Sequence, residues 1–388
     1  MFKDRHIHTL QWFLGSLLMV LLTACSSSED GGDGVAKQPT LTIYVYSPER
    51  PAVPNRHAPL RRAETGNVET VGDESTIHSL QIWVYESENK ALVGYLDTED
   101  VTTLNMGEGA TYQLPVSDDF AKNKPDVDVY VMANVTNANC GVETDKDTER
   151  DQLMTEAKIV KSKFGLSPLT TEVPTDGLPM AGKLTTQTVV GDAPALRVGT
   201  LSAVSTVQLT RAVSKLRFVF AKTTGQPTVS ITSIKINENM IPDVEYLFDK
   251  PESAPTITYN TEAGELLSSP IDDINQTADP TDYIYFNQDA QEYENLINTA
   301  ASKETPEVTV RGPIYLRESD KQLAGTITYT IAGDEQTADF QMQQAGDFLR
   351  NHTWIVYAYY AGSGKLQVQT VYVKDWSTKE ISHNVYNW

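Results

Sequence analysis

Period-two alternation of apolar and polar residues dominates this chain. Thr40-Leu41-Thr42-Ile43-Tyr44-Val45-Tyr46, Leu80-Gln81-Ile82-Trp83-Val84-Tyr85 and Val127-Asp128-Val129-Tyr130-Val131-Met132 all follow it, each bounded by Pro, Gly, Asp, Asn or Ser. Successive side chains of a strand point to opposite faces, so the pattern predicts half-buried β-strands. It returns in residues 215–220, 325–331, 354–360 and 366–373, and the turn at 361–365 predicts that the last two form a hairpin. Helical period is scarce. Residues 148–164, stopped by Gly165 and Pro168, predict one helix, and residues 291–302 a shorter one. Many strands with few helices predict an all-β fold of antiparallel β-sandwiches rather than a parallel sheet, divided near Leu209-Thr210-Arg211-Ala212.

The first 24 residues break this pattern. Lys3, Asp4 and Arg5 precede an apolar run over residues 13–22, which is short of the roughly 20 residues a membrane span needs. Small residues follow, as in an export signal. Leu22-Thr23-Ala24-Cys25 resembles the lipobox of bacterial lipoproteins, in which the cysteine is acylated and becomes the first mature residue; the alternative is an ordinary cleaved signal with a chance cysteine. Residues 26–34 are Ser, Glu, Asp and Gly, a composition suited to a tether. These features predict an exported, lipid-anchored bacterial precursor with its lipid on Cys25.

Charge narrows the function classes. With 31 basic against 52 acidic residues the formal charge is -21, which opposes binding to a phosphate backbone and argues against a nucleic-acid partner. Two cysteines, Cys25 and Cys140, exclude a disulfide-rich scaffold and a four-cysteine zinc site. His6 and His8 fall in the signal and His57 in a linker, leaving His78, His352 and His383 too dispersed to suggest a metal site. No HExxH or GxSxG motif or complete EF-hand loop is present. Gly362-Ser363-Gly364-Lys365 is similar to the end of a phosphate loop, but Tyr359 and Leu366 stand where a glycine and a hydroxyl are needed, and a hairpin turn accounts for it. The acidic pairs Asp118-Asp119 and Asp272-Asp273 read as solvated loops, and Cys140 as a buried or loop thiol. No cofactor and no enzymatic constellation is expected.

Several stretches, in order along nearly the whole chain, resemble the fimbrillin family, the type V pilus subunits of Bacteroidales. They are the lipobox, residues 74–85 (ESTIHSLQIWVY), 129–135 (VYVMANV), 178–182 (LPMAG), 209–216 (LTRAVSKL), 350–354 (RNHTW) and 373–376 (VKDW). The resemblance implies two tandem transthyretin-like β-sandwich domains. It further implies an exported lipoprotein from which an arginine-specific protease removes an N-terminal strand, opening a groove for the C-terminal strand of another pilus subunit.

On that expectation residues 1–24 are the signal, 25–62 the tether and a propeptide with its removable strand, 63–209 the first domain and 210–388 the second. The linker at residues 48–63 is basic, proline-laden and poor in sheet formers, as a protease target should be. Pro51 disfavours cleavage at Arg50, so the preferred cut lies between Arg62 and Ala63, with Arg56 and Arg61 in reserve. Donor-strand anchors are expected among Val371, Val373, Ile381, Val385 and Trp388. The implied partners are related pilus subunits, the protease, the outer membrane through the lipid, and a host or bacterial surface ligand. The alternatives are a tip or anchor subunit, and a glycan-binding surface lipoprotein whose sugar platform uses Trp83, Tyr85, Tyr357 and Tyr359.

Overall fold

The computed structural model describes residues 38–47, 73–104, 109–286, 290–342, 344–362 and 364–373. Cys25, Arg56, Arg61, Arg62, Ala63, His383, Ile381, Val385 and Trp388 lie outside them.

The first half of the fold contains β1 (Thr40–Tyr46), β2 (Leu80–Glu86), β3 (Leu92–Thr98), β4 (Gly109–Pro115), β5 (Val127–Ala133) and β6 (Lys158–Ile159). It continues through β7 (Met180–Gln187), β8 (Val189–Asp192), β9 (Ala195–Val198), β10 (Thr206–Gln208) and β11 (Thr210–Arg211). The second half begins with β12 (Ser214–Thr223), β13 (Val229–Ile236), β14 (Glu245–Tyr246), β15 (Gly264–Glu265) and β16 (Gln276–Thr277). It ends with β17 (Thr309–Leu316), β18 (Ala324–Ile331), β19 (Asp334–Gln341), β20 (Thr353–Tyr360) and β21 (Gln367–Val373).

Each half is a β-sandwich, as expected. In the first, a sheet of β4, β1, β8, β9 and β10 faces one ordered β11-β7-β5-β2-β3. In the second, β12, β16, β17, β20 and β21 face a sheet ordered β15-β13-β18-β19. The two are wired alike. The opening strand of each half lies between an antiparallel neighbour, β4 or β17, and a parallel one from the end of that half, β9 with β10 or β20. These parallel pairs depart from the antiparallel expectation, because the short β9 and β10 return beside β1 and the long β20 returns beside β12. The hairpin of β20 and β21 is antiparallel in register from Thr353↔Val373 to Tyr359↔Gln367.

Alternation locates the two inner cores. Leu41, Ile43 and Val45 meet Ile82, Val84, Leu114, Val129 and Val131 in the first. Leu216, Phe218 and Phe220 meet Ile231, Ile327 and Trp354 in the second. Strands β2, β5, β12 and β20 are buried on both faces rather than half-buried. The reverse side of β2 and β5, with Trp83, Tyr85, Tyr130 and Met132, is covered by local helices and by Val213, Leu247, Phe248 and Tyr315 of the second sandwich. The reverse side of β12 and β20 is covered by the helix Ala290–Ala301, through Tyr293 and Ile297.

The helix expected over residues 148–164 is only Arg150–Glu156. Its sequence continuation is drawn into β6, which pairs with β14 across the two sandwiches, and this pairing overrides helical propensity. The acidic pairs are solvated, as expected: all four residues are exposed, and Asp272 and Asp273 sit in a bend. Asp118 and Asp119 open the helix Asp118–Asn123, where negative charge favours the N-terminus. Asp273 accepts from the buried ammonium of Lys222 at 2.7 Å and from Val229 N at 2.9 Å.

Candidate functional site: the slot around the first strand

The seven residues of β1 carry one apolar face and one polar face. Leu41, Ile43 and Val45 are essentially fully buried, while Thr40, Thr42, Tyr44 and Tyr46 are partly exposed. Along one edge β1 pairs with β4 over its whole length, from Thr40↔Pro115 to Tyr46↔Gly109. Two strands share the other edge, β9 opposite Thr40–Thr42 and β10 opposite Tyr44–Tyr46, both parallel. Backbone bonds close the ends: Thr40 N donates to Pro194 O at 2.8 Å, Val116 N to Pro39 O at 2.9 Å and Leu209 N to Tyr46 O at 2.9 Å. Strand β1 is thus an internal strand joined to the rest of the described fold through nothing but non-covalent contacts and the segment 48–72.

Two glycines shape the slot wall. A Cβ on Gly182 would lie 2.3 Å from Gln208 O, so only glycine lets β7 pass beneath β10. Gly199, with φ of +132°, turns the chain out of the wall between β9 and β10, and a Cβ there would meet Ala203 O at 2.5 Å. Physically, the slot offers main-chain donors and acceptors on both sides and an apolar floor between them. Burying three aliphatic side chains contributes roughly 1.5–3 kcal/mol each, so an empty slot favours refilling by any strand with the same alternation.

Behind this slot, short stretches far apart in sequence converge on two polar knots. Asn134, held at φ 57°, donates to Thr76 O at 2.8 Å and Leu178 O at 3.0 Å and accepts from His78 N at 2.7 Å. That knot joins residues 74–85, 129–135 and 178–182. The second lies where the sandwiches meet. Arg211 donates to Glu74 O (3.0 Å), Ser75 Oγ (2.7 Å) and Asn351 Oδ1 (3.1 Å). The Glu74 carboxylate accepts from Lys215 Nζ at 3.2 Å and Tyr315 Oη at 2.6 Å. Nearby, Arg350 donates to Tyr246 O at 2.8 Å and Leu247 O at 3.1 Å and lies 3.1 Å from the buried carboxylate of Glu245. Burial pushes the Glu245 carboxyl up to about 8 even though Arg350 pulls the other way. Sequence inspection passes over Glu74, Glu245 and Tyr315; the available signal is Lys215 within the apolar run 212–221, a charge that needs a buried partner.

Among the residues singled out from sequence, Val371 lies in β21, 3% exposed, in the cluster of Tyr357 and Tyr293 within its own sandwich. Val373 ends the same strand, opposite Thr353. Trp83, Tyr85 and Tyr357 are buried within sheet faces and form no surface platform, while Tyr359 stacks on Tyr357. Cys140 is buried, and burial raises its thiol to about 12. His78 and His352 belong to different knots; the His352 ring Nδ1 lies 2.6 Å from Arg350 O.

Residues 57–231 match the family described as major fimbrial subunit protein (FimA). None of the curated proteins matches the chain by sequence. Solved structures of similar fold include a candidate cell-adhesion protein from Parabacteroides distasonis, 16% identical, covering 87% of this chain and 98% of that one with a TM-score of 0.46. The tip fimbrial protein Mfa3 from Porphyromonas gingivalis, with C-terminal truncation, is 13% identical over 87% of this chain and 100% of its own, with a TM-score of 0.40. A fimbrial assembly protein from Parabacteroides distasonis is 11% identical over 87% and 99%, with a TM-score of 0.41.

Proposed function

We propose, from the premise that this chain belongs to the fimbrillin family through the match over residues 57–231, that it is a pilus subunit assembled by strand exchange at the β1 slot. The observation that carries this reading is the setting of β1: an internal, one-face-apolar strand bordered by β4, β9 and β10, with its chain leading directly into the arginine-bearing linker. The precursor is exported with its lipid on Cys25 and held at the outer membrane. An arginine-specific protease cuts between Arg62 and Ala63, or at Arg56 or Arg61, and β1 leaves with the lipid. A strand from another subunit then enters the slot, places alternate apolar side chains on the floor and recovers the main-chain bonds of both edges. The repeated contact runs head to tail and produces a filament that serves adhesion.

The donor is the C-terminal segment beyond β21, with Ile381, Val385 and Trp388 as its anchors. Donating Val371 and Val373 instead requires β21 to leave β20 and expose the face that Val371 covers, so this is the costlier route.

The test follows fragment masses and polymer length after an arginine-specific protease is added to the purified chain from residue 25 onward. Release of the β1 fragment followed by polymer growth is expected. Replacing Arg56, Arg61 and Arg62 together should block release, and truncation after Trp376 should permit release but not growth. Polymers indifferent to both changes would sink the reading.

A further inference from the structure

Seven of the twelve arginines fall among the described residues, and none of the seven is exposed. Each is fixed in a paired strand, a helix or a carbonyl cage. Arg211, in β11, spends three donors on Glu74, Ser75 and Asn351. Arg317 follows β17 and donates to Pro242 O at 2.7 Å, Val160 O at 3.0 Å and Lys161 O at 3.1 Å. Arg350 is caged by the carbonyls of Tyr246 and Leu247 and by Glu318 at 2.5 Å. Arg217, on β12, donates to Asn298 Oδ1 at 2.8 Å. Arg150 opens the helix Arg150–Glu156 and pairs with Asp128. Arg197 on β9 donates to Leu201 O at 2.9 Å, and Arg311 on β17 to Val310 O at 3.0 Å.

Lysine is used differently: of the fifteen described lysines eight are exposed, whereas seven, the buried Lys215 and Lys222 among them, are not. Lys90, Lys122, Lys146, Lys161, Lys235, Lys250, Lys303 and Lys365 are all exposed, several of them in turns or loops. The planar five-donor guanidinium suits a cage of carbonyls better than an ammonium does, which explains the division chemically. A protease must draw a stretch of backbone into extended form with the cut side chain in its pocket. Paired strands and caged side chains permit that only after local unfolding.

We propose that the folded body is built to withhold its described arginines from proteolysis while leaving lysine accessible, so that an arginine-directed protease can act on the precursor without destroying the subunit. This rests on the processing proposed above and adds the reason that its chemistry is directed at arginine. Sequence does not supply the resistance, because none of the seven arginines precedes proline.

The full-length chain is digested in parallel with an arginine-specific and a lysine-specific endoprotease, and the fragments are mapped by mass. The expected result is a body free of internal arginine cuts but cut by the lysine enzyme, together with a gained arginine cut in each of the variants Lys146→Arg and Lys303→Arg, both at exposed sites not followed by proline. In strong urea the arginine enzyme should cut after Arg197, Arg211 and Arg317. Native cutting after any of the seven at the rate of the variants' new sites overturns the proposal, as does an uncut body in the variants or in urea. Absence of cleavage before residue 63 defeats the processing reading instead, and leaves the variant comparison to decide this one.

Discussion

Glu74 and Lys215, 141 positions apart, form an ion pair of 3.2 Å in which both side chains are almost wholly removed from solvent. The pair fastens the start of the chain after the linker to β12 of the second sandwich. Breaking a buried pair by removing one partner leaves the other charge desolvated, at a cost of about 3–5 kcal/mol. Glu74→Ala should therefore lower the urea midpoint by an equivalent amount, and the double variant Glu74→Leu with Lys215→Met should recover much of it. Equal losses in the single and double variants would show that packing, and not charge, carries the contact.

Ile43 sits at the centre of β1 with 1% exposure, where the slot wall passes from β9 to β10. Ile43→Ala leaves a cavity on the floor and should cost about 2–5 kcal/mol in chemical denaturation. Thr42→Ala, on the partly exposed face, should stay within about 0.5 kcal/mol of the parent. Similar losses for the two would contradict the one-face burial of this strand.

Glu245 gives the stability a pH dependence of defined sign. Its ordinary value of 4.5 is raised by burial to about 8, so the folded chain binds this proton more tightly than the unfolded chain. The contribution is fully present below about pH 4.5 and is lost as the pH rises through about 8, with a slope of at most about 1.4 kcal/mol per pH unit. Glu245→Gln cannot titrate. Its stability relative to the parent should shift in its favour between pH 5 and 8, and a difference constant over that window would rule the assignment out.

Cys140 should be chemically silent in the native state. It is fully buried, and its thiol is pushed up to about 12, so little thiolate forms and none meets reagent. In a Cys25→Ser background, iodoacetamide at pH 8 is expected to leave the native chain unlabelled and to add one label in urea. Rapid native labelling would mean that the helix Asn137–Cys140 opens readily.

Strand positions were legible because alternation survives wherever one face meets a core, as in β1 and β18, whose burial alternates residue by residue. The helix at residues 290–301 was legible for the same reason at a different period. Parallel placement of β9, β10 and β20 was not, since periodicity carries no information about a strand's neighbour. Nor was the truncation of the helix at Glu156, because β14, which takes over the following residues, lies nearly ninety positions away. The knots around Asn134 and Arg211 appeared in sequence only as scattered short stretches. Their common cause is spatial: a left-handed asparagine and a multi-donor arginine each gather carbonyls from segments that sequence holds apart.

The shared wiring of the two sandwiches sets a valence. In the second sandwich the strand that corresponds to β1 is β12, and it is continuous with β11 through Ala212 and Val213, both buried. No single peptide cut before residue 73 can remove it. Of two sheets laid out to the same plan, one alone has its central strand on a severable tether, so under the proposed assembly each subunit accepts one neighbour. Growth from such monovalent acceptors is linear and unbranched.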